Sequence, residues 1–129
     1  MLNKARNNFD PLFAERKERI KKYFAPIWSK EYTTESNFLK DAKELCRMLA
    51  PKCIVVRAEA VTIAGVADLL LCYEGRFIAA ELKKQTGIPS PQQLKFIAEI
   101  KEAGGKAAVC KNLKELWALV DTYCAEFLK

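Results

Sequence analysis

The chain predicts an α/β domain in which helices pack on a small mixed sheet, and three observations predict it. Apolar positions recur at helical spacing in two segments before residue 50 and in two after residue 90. Between them lie short β-compatible apolar runs at 53–59, 68–73 and 76–83. A helical segment then separates the third strand from a fourth at 106–110, the pattern of a crossover connection. The order is α-α-β-β-β-α-β-α.

Residues 1–9 read as a loose start. Asp10-Pro11 places an N-cap before a proline at the first helical position, predicting a helix to about Phe24 that Pro26 stops. Phe13, Ile20 and Phe24 share one side of it. Arg16, Lys17, Arg19, Lys21 and Lys22 occupy the other, either as a solvated face or as a phosphate-tracking strip. Thr33-Thr34 caps a second helix to about Leu49, with Phe38, Ala42, Leu45, Cys46 and Leu49 on its buried stripe and Pro51 beyond it. Cys53–Glu59 reads as the first strand, and a loop containing Gly65 leads into a hairpin. Lys84–Pro89 is a turn region. Ser90 caps a helix with Pro91 at its start, and Gly104-Gly105 closes it. Lys106–Cys110 is the last strand. Asn112 caps a final helix carrying Leu113, Leu116, Trp117, Val120, Tyr123, Cys124 and Phe127 on one stripe.

With 129 residues, half of them hydrophobic, and only five prolines and five glycines, the chain is sized for one globular domain. No apolar run approaches 18 residues, so no membrane span is expected. Met1–Asn8 has a basic start without a following apolar segment, so no secretory signal is expected either. Five cysteines without a Cys-x-x-Cys pair read as reduced, buried thiols in a cytoplasmic protein. The absence of histidine removes Ser-His-Asp and Cys-His hydrolases and histidine-ligated zinc. Catalysis would have to come from carboxylates, lysine, tyrosine or a metal-bound water. A net charge of +6 favours a polyanionic partner.

The hairpin is the most informative segment. Asp68–Tyr73 and Arg76–Lys83 flank Glu74-Gly75, and a two-residue turn there pairs Tyr73 with Arg76. Asp68 then faces Glu81. Directly opposed residues have Cβ atoms about 4.5–5.5 Å apart. At an effective dielectric near 20, two carboxylates so placed repel by about 3 kcal/mol. A hard cation with oxygen ligands reverses that sign. Side chains alternate along a strand, so Lys83 shares the face of Glu81. Two carboxylates and an ammonium on one surface suit metal-assisted phosphodiester hydrolysis.

Each residue also has a purely structural reading. Glu81, inside the apolar Phe77–Leu82 run, could be paired with Lys83 or Arg57 as an ordinary ion pair, although that leaves Asp68 unexplained. Glu35, in the first turn of a helix, complements the helix dipole. Gln93 fits the capping box Ser90-Pro-Gln-Gln93, bonding back to the Ser90 amide. Arg57 either approaches the site or pairs locally, and Lys84 is either surface charge or a phosphate contact.

Gly65-Val-Ala-Asp68, Tyr73-Glu-Gly-Arg76, Ala80-Glu-Leu-Lys83, Thr86-Gly87, Ser90-Pro-Gln-Gln93 and Ala103-Gly-Gly105 stand together in an order and spacing that resembles the virus-type replication-repair nuclease (VRR-NUC) domain. That domain is a branch of the PD-(D/E)xK nuclease superfamily. The resemblance covers roughly residues 33–120. One departure is visible: Ala67 stands where the family usually has proline before the aspartate. Proline there shapes the backbone and carries no chemistry.

The resemblance implies a restriction-endonuclease-like αβββαβ core with a mixed sheet, plus N- and C-terminal helices. It divides the chain into an extension with a basic helix at 1–32 and a nuclease domain at 33–129. It implies an Mg²⁺- or Mn²⁺-dependent DNA endonuclease in which Asp68, Glu81 and the Leu82 main-chain carbonyl hold the metal. Lys83 would orient or deprotonate the attacking water, Glu35 would reach the metal, commonly through water, and Gln93 would assist or brace the site. Arg57 and Lys84 would contact DNA. Short relatives, often from phage or prophage, resemble Holliday-junction resolvases and act as homodimers, so the helix at 10–24 would be a dimer element or a DNA arm, with a dimer contact through its apolar face the expected role. The expected substrate is therefore branched DNA, and the expected location the cytoplasm of a bacterial or phage-infected cell. Restriction-like, nicking or flap cleavage, or a catalytically silent module that binds DNA or a replication partner, are the alternatives.

Overall fold

The computed structural model describes residues 11–56 and 65–121. Arg57 and Glu59 lie outside them, as do Asp10 and the expected positions Tyr123, Cys124 and Phe127. Among the described residues, four helices flank a four-stranded sheet. The elements are α1 (Pro11–Phe24), a 3₁₀ turn (Ala25–Ile27), α2 (Glu35–Met48), β1 (Cys53–Val56), β2 (Leu69–Tyr73), β3 (Arg76–Leu82), α3 (Pro91–Glu102), β4 (Lys106–Cys110) and α4 (Leu113–Val120). The sheet order is β1-β2-β3-β4. The first two pairings are antiparallel and β3–β4 is parallel, so α3 is the expected crossover.

Local chemistry sets the boundaries. The Thr34 hydroxyl accepts from the Asn37 amide at the start of α2, and Asn112 Oδ1 accepts from the Glu115 amide at the start of α4. Ser90 and Gln93 complete a capping box with Pro91 in the first turn of α3. The β2–β3 turn has positive φ at both central residues, 50° at Glu74 and 81° at Gly75. That backbone matches the twist of a two-residue hairpin. It pairs Tyr73 with Arg76 and carries the ladder in register to Leu69 opposite Ala80.

Alternation along the strands divides the core. Leu69, Leu71, Tyr73, Ile78, Ala80 and Leu82 face the larger core with α1, α2 and α4. Leu70, Ala79 and Ala107 face a smaller one with Ile97 of α3. Phe13, Ile20 and Phe24 of α1 are buried in the larger core, where Trp28 also meets Trp117 at 5.7 Å between ring centroids. The apolar side of α1, expected to make a dimer contact, is therefore covered by the chain itself. An amphipathic stripe specifies burial, and the nearest apolar surface here is intramolecular.

The basic side of α1 is also partly engaged. Lys17 pairs with buried Asp121 at 3.2 Å, Lys21 with Glu18 at 3.3 Å, and the Arg16 guanidinium donates to the Ala50 carbonyl. The segment expected as an extension thus contributes its helix to the common core. Among the described residues, no helix is long and apolar enough to cross a membrane.

Candidate active site

The site forms where β2 begins and β3 ends. Asp68 lies one step beyond the last ladder pair, and its Oδ2 accepts from the Leu82 main-chain N–H at 3.0 Å. Glu81 shares the sheet face of Ala79, beneath α3, and is 1% exposed. The Gln93 side-chain amide donates to Glu81 Oε1. Lys83 Nζ lies 3.9 Å from Glu81 Oε1 and 3.9 Å from Glu35 Oε1. Asp68, Glu81, Leu82, Lys83, Gln93 and Glu35 therefore form one connected group. Lys84 is exposed on the following loop. Arg57 lies outside the described residues.

Electrostatics single out Glu81. Burial pushes its carboxyl up to about 8, and the hydrogen bond and negative charge of neighbouring Asp68 push in the same direction. Lys83 opposes them only in part. Its Oε2 is buried without a hydrogen-bond partner. A buried carboxylate oxygen left unpaired is costly unless something charged or donating meets it. The ion pair with Lys83 is present, but at 3.9 Å the ammonium stands beyond hydrogen-bond distance and is shared with Glu35.

The donors fit a hard divalent cation. They are two neighbouring carboxyl groups whose joint ionisation is opposed by burial and by each other's charge, an opposition that a cation would remove. Among the described residues, no three His, Cys, Asp or Glu side chains converge as a closed cage. Mg²⁺ is commonly held by one or two carboxylates and otherwise by water, so a two-carboxylate set suits it better than a dehydrated all-protein site would. Glu35, expected at the metal, stands beside Lys83.

Gln93 resolves the two readings given to it. Its Oε1 accepts from the Ser90 N–H at 2.8 Å, completing the cap, while its Nε2 bonds Glu81. One amide does both, because an amide has an acceptor at one corner and donors at the other.

The glycines of the motif have steric reasons that spacing alone did not supply. A Cβ on Gly65 (φ 79°) would fall 2.5 Å from the Gln92 carbonyl carbon and oxygen. The loop before Asp68 thus lies directly on the first turn of α3. A Cβ on Gly87 would lie 3.3 Å from Glu35 Oε2 and from Lys83 Cβ and Cδ. Sequence reasoning missed two anchors of the 84–90 loop. The Gln85 N–H donates to the Tyr32 carbonyl, and Lys111 Nζ donates to the Gln85 carbonyl, each at 3.1 Å. Both partners are remote in sequence, and neither carries a local signal.

No protein-family profile and no curated protein matches the chain. A solved structure described as a VRR_NUC domain is 26% identical to it and superposes with a TM-score of 0.59, over 71% of this chain and 99% of that one.

Proposed function

We infer, from the premise that this chain is a VRR-NUC-type domain of the PD-(D/E)xK nuclease kind, that it is a divalent-metal-dependent DNA endonuclease selective for branched DNA. One observation carries the reading. Asp68 and Glu81 meet at the open end of the hairpin, with Glu81 Oε2 buried and unpartnered and the Lys83 ammonium 3.9 Å from Glu81 Oε1. An ordinary ion pair requires neither the second carboxylate nor the orphan oxygen.

Asp68, Glu81 and the Leu82 carbonyl would hold Mg²⁺ or Mn²⁺. When bound, the ion would supply Lewis acidity at the scissile phosphate and lower the pKa of a coordinated water. The remaining work belongs to the side chains. Gln93 fixes the Glu81 carboxylate through one oxygen and leaves the other available. Lys83, largely buried and flanked by two acids, presents a fixed positive charge to the negative charge that grows on the phosphate. Its N–H groups also orient the attacking water, and the proton that this water gives up passes to solvent. Glu35 holds the ammonium from its second side. Lys84 and Arg57 are assigned to phosphate contacts, which the net charge of +6 favours. Hydrolysis leaves a 5′-phosphate and a 3′-hydroxyl, as the superfamily resemblance implies.

A four-way junction is the substrate we assign first, cut by a homodimer. Two-fold symmetry is what paired cuts in two like strands require. The test incubates the protein with four-way junction, flap and linear duplex DNA in Mg²⁺, Mn²⁺ or EDTA. Paired nicks in the junction with either metal, and none in EDTA, are expected. Equal cutting of all three substrates overturns the selectivity, and no cutting of any DNA with either metal overturns the enzyme.

A further inference from the structure

We propose that Ile88 is an apolar wedge that packs against an unstacked base at the branch point of the DNA substrate, an inference that rests on the nuclease reading above and deepens it.

Ile88 is 84% exposed, more than any other large apolar side chain among the described residues. Exposure of a lone aliphatic side chain means little in itself. Its position is what counts. Gly87, the preceding residue, lies against Glu35 and the Lys83 side chain, so close that a Cβ there would sit 3.3 Å from both. On the other side, Pro89 fixes the backbone and Ser90 opens α3 through the Gln93 cap. The most exposed isoleucine therefore projects from a backbone bounded at both ends by residues that touch the candidate site.

The loop that carries it is anchored. The Gly87 N–H donates to the Lys84 carbonyl at 2.9 Å, the Gln85 amide to Tyr32, the Lys111 ammonium to Gln85, and the Ser90 amide to Gln93 at 2.8 Å. A side chain displayed from a tied loop loses little freedom on binding, which is the condition for an efficient contact. Folding does not call for an isoleucine here, since nothing among the described residues covers it. Exposed Lys84 lies on the same loop, able to meet a phosphate while Ile88 meets a base.

The ligand follows from the chemistry. Continuous duplex buries its base faces in the stack and offers an apolar side chain only groove edges and backbone. A branch point interrupts the continuity of the stack, so a base there is more easily unstacked. Proteins that distort DNA insert residues such as Ile, Leu or Phe between base steps, and the unstacking cost is least where the stack is already interrupted. An apolar wedge beside the scissile position thereby favours a junction over an uninterrupted helix.

The test uses a four-way junction with 2-aminopurine at the branch point, a base whose fluorescence rises on unstacking. Binding is followed with Ca²⁺ in place of Mg²⁺ to hold back cleavage, and cleavage is assayed separately with Mg²⁺. The full-length wild-type chain should raise the fluorescence several-fold on binding. Ile88→Ser should lose most of that rise and at least tenfold in junction affinity. Ile54→Ser, at another exposed apolar site on the sheet, should behave as wild type. An undiminished rise with Ile88→Ser overturns the wedge, as does a wild-type protein that cuts the junction without any rise. A wild-type protein that neither binds nor cuts DNA overturns the nuclease reading itself, and the two failures are distinct.

Discussion

Gln93 joins the start of α3 to Glu81: its side-chain oxygen accepts from the Ser90 amide and its nitrogen donates to the buried carboxylate. Helix capping and site geometry are thus one structural event. Gln93→Glu retains an acceptor for the cap and removes the donor to Glu81. Its expected effect is a tenfold or greater loss of cleavage rate with helix capping preserved. Gln93→Ala loses both bonds and should additionally lower stability by about 0.5–2 kcal/mol. Rates and urea midpoints of both variants check this. Wild-type cleavage by Gln93→Glu would show that the amide only caps the helix.

The two carboxylates should be separable from DNA affinity. Asp68→Asn keeps an oxygen for the Leu82 N–H but loses the charge that would hold a cation. Cleavage is expected to fall by at least about two to three orders of magnitude, the scale of removing one transition-state stabilising group. Affinity for the junction should change little, because phosphate contacts by basic residues dominate it. Electrophoretic mobility shift and single-turnover cleavage on the same preparation measure both. A variant that cuts normally would remove Asp68 from the chemistry.

How far this arrangement was legible depends on which interactions are local. The Asp68–Glu81 pairing followed from a two-residue turn at Glu74-Gly75, since register propagates outward from the turn. The Ser90 cap was legible for the same reason. The course of α1 was not, because its stripe of Phe13, Ile20 and Phe24 says that a face is buried and says nothing of its cover. Glu35 was legible only through the family resemblance: its 3.9 Å approach to Lys83 brings together two residues remote in sequence. The hold of Tyr32 and Lys111 on the 84–90 loop depends on tertiary placement in the same way. The reason for Gly65, a backbone contact with Gln92, needs α3 in position before it can be stated.

Without a cation, stability should fall as pH rises. Glu81 is raised from 4.5 to about 8 in the folded chain. Between those values the folded state keeps a proton that the unfolded state has lost, so unfolding gains relative to folding as pH increases. The full effect is on the order of a few kcal/mol, complete above the folded value. The melting temperature in EDTA should therefore drop between pH 5 and pH 8, and Glu81→Gln should flatten the profile. Mg²⁺ binds the ionised pair, so it should raise the melting temperature more at pH 8 than at pH 5. An unchanged slope in Glu81→Gln would assign the pH dependence elsewhere.

Burial of α1 makes a stability prediction that separates it from an appendage. Ile20 is fully buried in the larger core. Ile20→Ala removes methylene groups from a packed site and should cost about 2–5 kcal/mol. A loosely attached helix would lose far less. Lys17→Met, which removes the ammonium 3.2 Å from buried Asp121 and keeps the 2.7 Å bond from Tyr73, should also destabilise, by about 1–3 kcal/mol. Urea unfolding monitored by Trp28 and Trp117 fluorescence measures both, since those indoles are in contact at the junction of α1 and α4.

The hairpin turn is a place where the sequence is less favourable than the backbone it adopts. Glu74 holds φ at 50°, a left-handed conformation that crowds the Cβ of an L-residue. Asn tolerates that region and is strongly preferred at the first position of such a turn. Glu74→Asn should therefore stabilise the protein by about 0.5–1 kcal/mol, read as a higher urea midpoint at unchanged slope. The side chain is exposed at the far end of β2 and β3 from Asp68 and Glu81, so cleavage should stay at the wild-type rate. Stabilisation with a loss of cleavage would mean that the turn does more than fix register. Because a slip of one residue would send Glu81 to the opposite face of the sheet, that register is what brings the two carboxylates together.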